Sequence, residues 1–396
     1  MLLGLLLIAA CRPDAPATAA PPTEPGTALP AGSRLPRFGY DADRLLLSYV
    51  LSDSAAGDRL YARAYGPGGW GADTLVAEGR NWFINWADFP SVQPLGAGLF
   101  HHYLAYTGSG TYDYAIQYGT GALSDTVLHN DGVPGEHGFV SSAPLPGGAR
   151  QVTWLDGRKS GAASAGHDHH GGGGAMTLRT ARVALDGTVT GRTELDARTC
   201  DCCNTATVTA GTTTLVAYRD RSEKEVRDIS FRVREGEGDW SEIRPVHEDN
   251  WEVTGCPVNG PALAAADDGT IAVAWYTAAE GRPRVQVARY DAARRAFGPP
   301  VTVDADEPLG RVDLQLGDDG TAYVLAMATT GNMDSTAVTL YTVSPEEAVT
   351  RREIARVASA RRSGFPKLAR TGNELWCAYT EVDGLATRVR LRQVLP

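Results

Sequence analysis

The chain has 396 residues, of which 43% are hydrophobic and 21% are charged, and its formal net charge is −10. This composition is typical of a folded protein and excludes a wholly disordered chain. The acidic balance argues against a nucleic-acid partner, which would need a basic face.

The first residues, MLLGLLLIAACRPD, predict export. The apolar run from Leu2 to Ala10 is too short to span a bilayer as a helix, but it has the length of a signal-peptide core. Ile8-Ala9-Ala10-Cys11 resembles the bacterial lipobox, in which the cysteine is lipidated. We therefore expect a signal peptide over residues 1–10 and a lipid on Cys11, although no Lys or Arg precedes the apolar run. An ordinary cleaved signal peptide is the alternative, and either one places the mature chain outside the cytoplasm, in the bacterial cell envelope.

The next segment, RPDAPATAAPPTEPGTALPAGS, is rich in Pro, Ala and Thr and cannot form a packed core. We predict that residues 11–33 are an extended tether. The protein would then contact a membrane only through its lipid anchor.

One pattern recurs from residue 34 to residue 396: a short apolar segment, a Gly/Asp turn, an alternating strand that ends in an aromatic residue, a loop and another strand. Examples are TAGTTTLVAYRDR, ADDGTIAVAWYTA and GDDGTAYVLAMAT. The seven copies are spaced by roughly 50 residues, as propeller blades are. We predict an all-β propeller of four-stranded antiparallel blades, with seven blades favoured over six. A two-domain β-sandwich is the rival. The last copy shows three clear strands, and the segment before Arg34 is the candidate for its fourth.

In a propeller, the loop that leads into the first strand of a blade and the loop that joins its second and third strands lie on one face, which we call the upper face. On these loops lie the ligand candidates Arg34, Arg219, Arg221, Arg311 and Asp313, and also the carboxylates Asp88 and Glu136. Three arginines from different blades that converge on the central channel would bind a carboxylate or phosphate, because guanidinium forks hold such groups bidentately. Each charge taken singly is better explained as a solvated loop residue or part of a structural ion pair.

Arg34-Leu35-Pro36 resembles the Arg-Ile/Leu-Pro motif of the sialidase-like (BNR-repeat) propellers, and the following RLLLSYVLSDSAAGDRLYARAY is similar to their first strand-loop-strand unit. The resemblance implies an arginine triad that holds a sialic-acid carboxylate. Arg34 would be its first member, with Arg219 or Arg221 and Arg311 completing it. Asp58 would take the acid/base position.

The chain departs from that family at the expected nucleophile. Where a tyrosine belongs, the sequence has Phe365, and the family's turn signatures are not intact. Tyr276 or Tyr379 would have to substitute, and Asp58 and Glu381 are weak catalytic candidates. Whether the protein is an enzyme is left open; if it is one, an exo-glycosidase is expected.

Four cysteines, Cys200, Cys202, Cys203 and Cys256, form an even set outside the cytoplasm, which favours disulfides. Cys202 or Cys203 bonded to Cys256 would join neighbouring blades, whereas a bond between adjacent Cys202 and Cys203 would be strained. Redox-active thiols are one alternative. Cys377 lies in an apolar strand and is expected to be a small buried side chain.

A metal site for copper or zinc is the second alternative for the cysteines. The segment GHDHHGGGG would add His167, His169 and His170 to it. The disulfide interpretation needs no cofactor.

The sequence thus predicts an envelope lipoprotein whose propeller recognises, and in one version hydrolyses, an anionic carbohydrate at the channel mouth. A non-catalytic envelope scaffold or binding module is one alternative. A periplasmic metal- or redox-handling protein that uses the cysteines is the other.

Overall fold

The computed structural model describes residues 27–41, 43–121, 123–160 and 174–395. The predicted signal peptide, the lipidation site Cys11 and the histidines His167, His169 and His170 lie outside these residues. The described chain forms seven antiparallel sheets, which are the blades of one β-propeller. The predicted fold class and the count of seven blades are confirmed.

The strands of each blade follow one another in the chain and pair antiparallel from the innermost strand outward. Blades one to three contain β1 (Arg34–Tyr40), β2 (Leu45–Asp53), β3 (Gly57–Gly66), β4 (Gly69–Trp70) and β5 (Thr74–Gly79); β6 (Ser91–Leu95), β7 (Gly98–Tyr106), β8 (Tyr114–Thr120) and β9 (Leu123–Val127); and β10 (His137–Pro144), β11 (Arg150–Asp156), β12 (Met176–Val183) and β13 (Val189–Thr199).

Blades four to seven continue the same order. They contain β14 (Ala206–Ala210), β15 (Thr213–Arg219), β16 (Ile229–Glu235) and β17 (Arg244–Pro245); β18 (Ala262–Ala265), β19 (Ile271–Thr277), β20 (Arg284–Asp291), β21 (Ala296–Phe297) and β22 (Val301–Asp304); β23 (Gly310–Leu316), β24 (Ala322–Thr329), β25 (Ser335–Val343) and β26 (Val349–Ala358); and β27 (Lys367–Thr371), β28 (Glu374–Asp383) and β29 (Ala386–Leu395). Single 3₁₀ turns occur at Ala279–Gly281 and Arg361–Ser363. Within the described ranges, no helix has the length and apolarity needed to cross a membrane.

Asp-Gly-Thr sequences make tight turns between the first and second strands of blades five and six. The Asp268 carboxylate accepts a hydrogen bond of 2.8 Å from the Thr270 N–H, and Asp319 accepts one of 2.9 Å from Thr321. The glycine between the first pair, Gly269, has a φ of 90°, a conformation that glycine adopts without steric cost. Local sequence therefore fixes where these strands begin and end.

The hydrophobic core lies between neighbouring blades. Trp154, Trp275 and Trp376 are fully buried on the second strands of blades three, five and seven. Trp275 shares a cluster with side chains of blade four, and Trp376 shares one with side chains of blade one. Because both faces of a blade are apolar, each must be covered by a neighbour, and the ring has to close.

In the described residues blade seven has three strands, and residues 27–33, which precede β1, do not join its sheet as the fourth strand that the sequence suggested. They do lie beside β29: the Gly32 N–H donates to the Thr387 carbonyl at 2.8 Å, and the Val389 N–H donates to Ser33 Oγ at 2.9 Å. The Ser33 N–H donates back to the Pro30 carbonyl, and this turn replaces the extended backbone of a strand. The segment still covers the last edge of the ring.

Ser33 is completely buried, and its hydroxyl also donates to the Pro30 carbonyl at 2.6 Å. Replacing it by alanine leaves the buried Val389 N–H without an acceptor. We expect Ser33→Ala to lower the free energy of unfolding by about 1–3 kcal/mol, measured by urea denaturation. Ser54→Ala, at an exposed hairpin tip, is the control and should change it little. Equal stability of the two variants would show that this closure contributes nothing.

Candidate site on the upper face

The backbone at the channel mouth is strained where several innermost strands begin. Leu35, Phe139 and Arg311 have φ of 58°, 54° and 52°, and the strand register shifts just after each of them. Such left-handed conformations cost about 1–3 kcal/mol each in non-glycine residues and cluster at functional sites. Leu35 and Phe139 belong to one buried apolar cluster with Phe365, and Trp86 packs against it.

Charged side chains line the channel itself, in a cavity of about 120 Å³. Lys367 Nζ lies 3.6 Å from Asp313 Oδ1, and the Leu368 N–H donates to Asp313 Oδ2 at 2.7 Å. Burial lowers the pKa of Arg37 and Lys367, and the charge of Asp313 opposes that shift in both. The ligand candidate Asp313 therefore faces the channel and is already paired.

Two of the predicted residues, Arg34 and Asp58, are joined through Ser52. Arg34 Nη2 donates to Ser52 Oγ at 2.5 Å, and Ser52 Oγ donates to Asp58 Oδ1 at 2.5 Å. Burial lowers the pKa of Arg34; the charge of Asp58 opposes this, and the nearby charge of Arg362 adds to it.

Arg311 lies against the aromatic ring of Trp86. Its guanidinium carbon is 4.7 Å from the centre of the Trp86 ring, and that of Arg361 is 5.9 Å away. Arg311 Nη1 donates to the Gly364 carbonyl at 3.0 Å. Burial and the charge of Arg361 lower the pKa of Arg311 to about 10.

The turn Arg361–Ser363 connects these two groups of arginines. Its Arg361 faces Trp86 and Arg311, and its Arg362 is close enough to Arg34 to lower the pKa of that residue. Arg361 and Arg362 are exposed, whereas Trp86 is partly buried. We call Trp86 and the four arginines Arg34, Arg311, Arg361 and Arg362 the Trp86 patch.

Arg219 is positioned differently. It is buried, and its three guanidinium nitrogens donate to the carbonyls of Asn259, Arg227 and Tyr276 at 2.7, 2.5 and 2.6 Å. Arg219 therefore ties together three segments of blades four and five, which is a structural role that the sequence did not reveal.

Arg221 is paired with acids of its own neighbourhood. It lies 2.7 Å from Asp201 and 2.9 Å from Glu225. Of the predicted arginines, Arg34 and Arg311 thus both lie near the Arg361–Ser363 turn. The guanidinium groups of Arg219 and Arg221 are instead bonded to protein groups of blades four and five.

The remaining catalytic candidates are bonded or buried. Glu381, on β28, accepts a hydrogen bond from Arg390 Nε at 2.8 Å, and Tyr379 on the same strand is only 3% exposed. Tyr276 packs edge-on against Trp251. Phe365, where the resemblance predicted a tyrosine nucleophile, stacks on Trp86 with the ring centres 5.8 Å apart.

Two carboxyl groups on the upper face hold their protons near neutral pH. Burial raises the pKa of Asp88 to about 7, against a hydrogen bond from the Phe139 N–H and the charge of Arg37. Burial raises the pKa of Glu136 to about 8; the Tyr114 hydroxyl, which donates to Glu136 at 2.6 Å, opposes this, and the charge of Asp88 adds to it. The sequence located both residues on this face, but burial, the cause of the shifts, was not visible in it.

A second network that the sequence did not reveal lies beside Glu136. His129 and His137 stack with ring centres 3.7 Å apart, and both contact the Asp131 carboxylate, at 2.9 and 3.1 Å. These three side chains have donor atoms close enough together to hold a metal ion. However, Arg158 already brings a positive charge to within 2.9 Å of Asp131, which opposes cation binding.

The cysteines form one of the predicted inter-blade bonds. Cys202, before β14, is disulfide-bonded to Cys256, before β18, so the bridge joins blades four and five. Cys200 and Cys203 are free and buried, and their sulfurs are 2.6 Å apart. Cys377 is free and buried in β28, as its apolar surroundings predicted.

The sequence matches no family model and no curated protein. The fold is similar to that of the polysaccharide lyase Uly1, with 9% identity and a TM-score of 0.54 over 90% of this chain and 89% of the lyase. It is also similar to a puromycin-hydrolysing peptidase of Mycobacterium tuberculosis, with 13% identity and a TM-score of 0.52 over 92% of this chain and 53% of the peptidase. A neuraminidase-like protein of subtype N11 (flat-faced bat, Peru) shares 11% identity, with a TM-score of 0.45 over 84% of this chain and 90% of its own.

Identities this low show a shared propeller fold and nothing finer, because one fold carries many activities. The resemblance found in the sequence is confirmed as regards that fold. The lipoprotein branch stays a prediction.

The structural role of Arg219 can be tested by stability. Arg219→Met removes the donors of three buried carbonyls, so we expect it to lower the free energy of unfolding by more than about 3 kcal/mol. Arg361→Met, at an exposed position, should change it by less than about 0.5 kcal/mol. Urea denaturation of both variants measures the difference, and a mild effect at Arg219 would contradict the assignment.

The raised pKa of Glu136 makes stability depend on pH. The folded protein keeps this proton up to about pH 8, whereas the unfolded chain releases it near pH 4.3, roughly the value of a free glutamate. The contribution of Glu136 to the free energy of unfolding is therefore greatest below about pH 4.3 and falls as the pH rises from there to about 8. Glu136→Gln cannot ionise and should be more stable than the wild type at pH 8 but not at pH 4.

Unfolding free energies at both pH values give the comparison. Glu248→Gln, at an exposed position, provides the control. A Glu136→Gln difference that stays constant with pH would contradict a proton held by burial.

Proposed function

We propose that the protein recognises an anionic carbohydrate on its upper face, at the Trp86 patch. The observation that carries this proposal is a partly buried aromatic ring flanked by the guanidinium groups of Arg311 and Arg361, 4.7 and 5.9 Å from its centre. Arginines provide charge-assisted bonds to a carboxylate or sulfate. The Trp86 ring, which stacks on Phe365 and is faced by Arg311, helps to hold these guanidinium groups in place. The exposed Arg361 and Arg362 are the residues best placed to contact such a group.

The patch has an excess of positive charge, which favours an anionic ligand over a neutral one. Within the part of the chain that the structure describes, Arg34 is the one of its four arginines whose side chain is linked to an acid, through Ser52 to Asp58. Burial lowers the pKa of Arg34 and of Arg311; the charge of Arg362 adds to this shift at Arg34, and the charge of Arg361 adds to it at Arg311. A bound anion would relieve the repulsion within each of these two pairs. Additional support is that the lyase with a similar fold acts on polysaccharides, as its name states.

Hydrolysis is the second part of the proposal. Glycoside hydrolysis needs a proton donor, and Asp88 lies two residues after Trp86 in the same loop. Asp88 and Glu136 have pKa values of about 7 and 8, so both can supply a proton at neutral pH. The carboxylates first predicted for catalysis, Asp58 and Glu381, stay candidates for the second group of the reaction.

We propose in addition that the protein acts in the bacterial cell envelope, where lipidated Cys11 would anchor it. The chain between Cys11 and Leu29 would hold the propeller off the membrane, since Leu29 and Ser33 are already buried in the propeller. The support is the sequence of the first 33 residues alone. On this proposal the lipid is the part of the protein that contacts the membrane.

The test compares carboxylated sugars with matched neutral ones: sialyllactose with lactose, and oligogalacturonate with its methyl ester. We expect the purified chain to bind an acid form and not its neutral counterpart, with affinity that falls as salt rises. Arg361→Ala combined with Arg362→Ala should weaken binding at least about tenfold, because these exposed guanidinium groups contact the anion. Isothermal titration calorimetry measures the dissociation constants of the wild type and of the double variant.

The control is Arg294→Ala, which removes an exposed arginine from the opposite face. Undiminished binding by the double variant, or equal binding of acid and ester, would overturn the proposal. If the folded protein binds no sugar at all, the non-catalytic envelope scaffold becomes the better interpretation.

A further inference from the structure

The four cysteines lie in two layers with different access to solvent. Cys256 is exposed and Cys202 is partly buried, so one end of their disulfide reaches the surface. Cys200 and Cys203 lie beneath, 0% and 2% exposed. Anything dissolved outside the protein can therefore reach the disulfide but not the thiols.

The layers are close enough for sulfur to attack sulfur. Cys200 Sγ is 3.9 Å from Cys202 Sγ and 2.6 Å from Cys203 Sγ. Thiol–disulfide exchange needs a thiolate adjacent to a disulfide sulfur and a second thiol to resolve the product. Cys200 has both neighbours: Cys202 provides the disulfide sulfur and Cys203 provides the second thiol.

The surroundings of Cys200 favour its thiolate. Arg227 Nη1 is 3.4 Å from the sulfur, and Arg227 is itself held by Glu225 at 2.7 Å. Burial opposes ionisation, but the hydrogen bond from Cys203 and the charge of Arg227 lower the pKa of Cys200 to about 7. By contrast, burial and the same hydrogen bond raise the pKa of Cys203 well above its usual value. Cys200 is thus the attacking group and Cys203 the resolving group.

We propose that these cysteines form a thiol–disulfide exchange relay between a dithiol or disulfide of a partner at the surface and the buried Cys200–Cys203 pair. Cys200 thiolate attacks Cys202 Sγ; a Cys200–Cys202 bond forms, the Cys202–Cys256 bond breaks, and Cys256 leaves as a thiolate. Cys203, losing its proton to that thiolate, attacks Cys200 Sγ and releases Cys202. One disulfide and two thiols become one disulfide and two thiols, so no outside oxidant is consumed.

The internal exchange leaves two reduced cysteines at the surface. Cys256 can then attack a disulfide of a peptide or protein partner, forming a mixed disulfide that Cys202 resolves. The partner gains two electrons and the chain regains its surface bond. A partner dithiol reverses the sequence.

The test uses the full chain equilibrated in glutathione buffer to one disulfide per molecule. After acid quenching and alkylation, peptide mass spectrometry identifies the bonded pairs. We expect both Cys202–Cys256 and Cys200–Cys203 in the same preparation. Cys200→Ser should contain only the surface bond, with Cys203 alkylated, and Cys377→Ser should match the wild type.

A rate measurement tests the surface step. When both proteins start fully reduced, Cys256→Ser should react with oxidised glutathione at least about tenfold more slowly than the wild type, because the exposed thiol is gone. Arg227→Met keeps all four cysteines and should slow the internal exchange after a dithiothreitol pulse, so the proposal stays testable if the serine variants fail to fold. If wild-type protein with one disulfide per molecule contains the Cys202–Cys256 bond alone or the Cys200–Cys203 bond alone, the relay is overturned. Two bonds that resist dithiothreitol until the chain unfolds, or one zinc or copper ion bound per chain through these thiols, would overturn it as well.

Discussion

The need to bury both apolar faces of every blade governs the rest of this structure. A sheet with two apolar faces is unstable alone, and a row of such sheets leaves an uncovered face at each end. Closing the row into a ring removes both ends, and here the last junction joins blade seven to blade one through the Trp376 cluster. The hydrogen bonds of Gly32 and Ser33 then cover the edge of β29.

Ring closure also determines where chemistry can occur. It directs seven innermost strands toward one axis and brings seven sets of loops together on the upper face. The channel between the strands is narrow and contains a paired Asp313 and Lys367. A polar ligand therefore has access to the loops above the channel, where the left-handed backbone of Leu35, Phe139 and Arg311 redirects the chain. This strain is sustained by the surrounding packing, since Leu35 and Phe139 are buried in the same cluster.

The sequence periodicity predicted the propeller because blade architecture depends on alternating residues within strands and on tight turns, and both are visible in the residue types. Asp268-Gly269-Thr270 is an example, since its side-chain hydrogen bond and left-handed glycine are both readable from the residue types. A bridge from Cys202 or Cys203 to Cys256 was foreseen for a similar reason, because these cysteines precede the first strands of adjacent blades; the bonded partner is Cys202. The sequence suggested that the segment before Arg34 adds a fourth strand to blade seven. Its described residues, 27–33, instead turn at Pro30, and this turn depends on contacts with the distant Thr387 and Val389.

The role of an individual arginine could not be predicted from local sequence. Arg219 and Arg361 look alike as residues of upper-face loops, yet one donates to three buried carbonyls and the other is exposed. What separates them is the depth to which each side chain is buried, which depends on packing between blades. For the same reason Asp88 and Glu136 were placed on the correct face without any sign that burial would keep them protonated.

The two proposed activities are physically adjacent but rest on different residues. A chain of ion pairs runs from Cys200 through Arg227, Glu225 and Arg221 to Asp201, whose charge contributes to the raised pKa of Glu136. Oxidation of Cys200 would remove the thiolate that Arg227 faces and leave Glu225 and Asp201 to balance the two arginines. The carbohydrate proposal is centred on Arg361 and Arg362, which contact none of these groups in the described residues. The thiol chemistry and the sugar chemistry can therefore each fail without deciding the other, even though one face of the propeller would carry both.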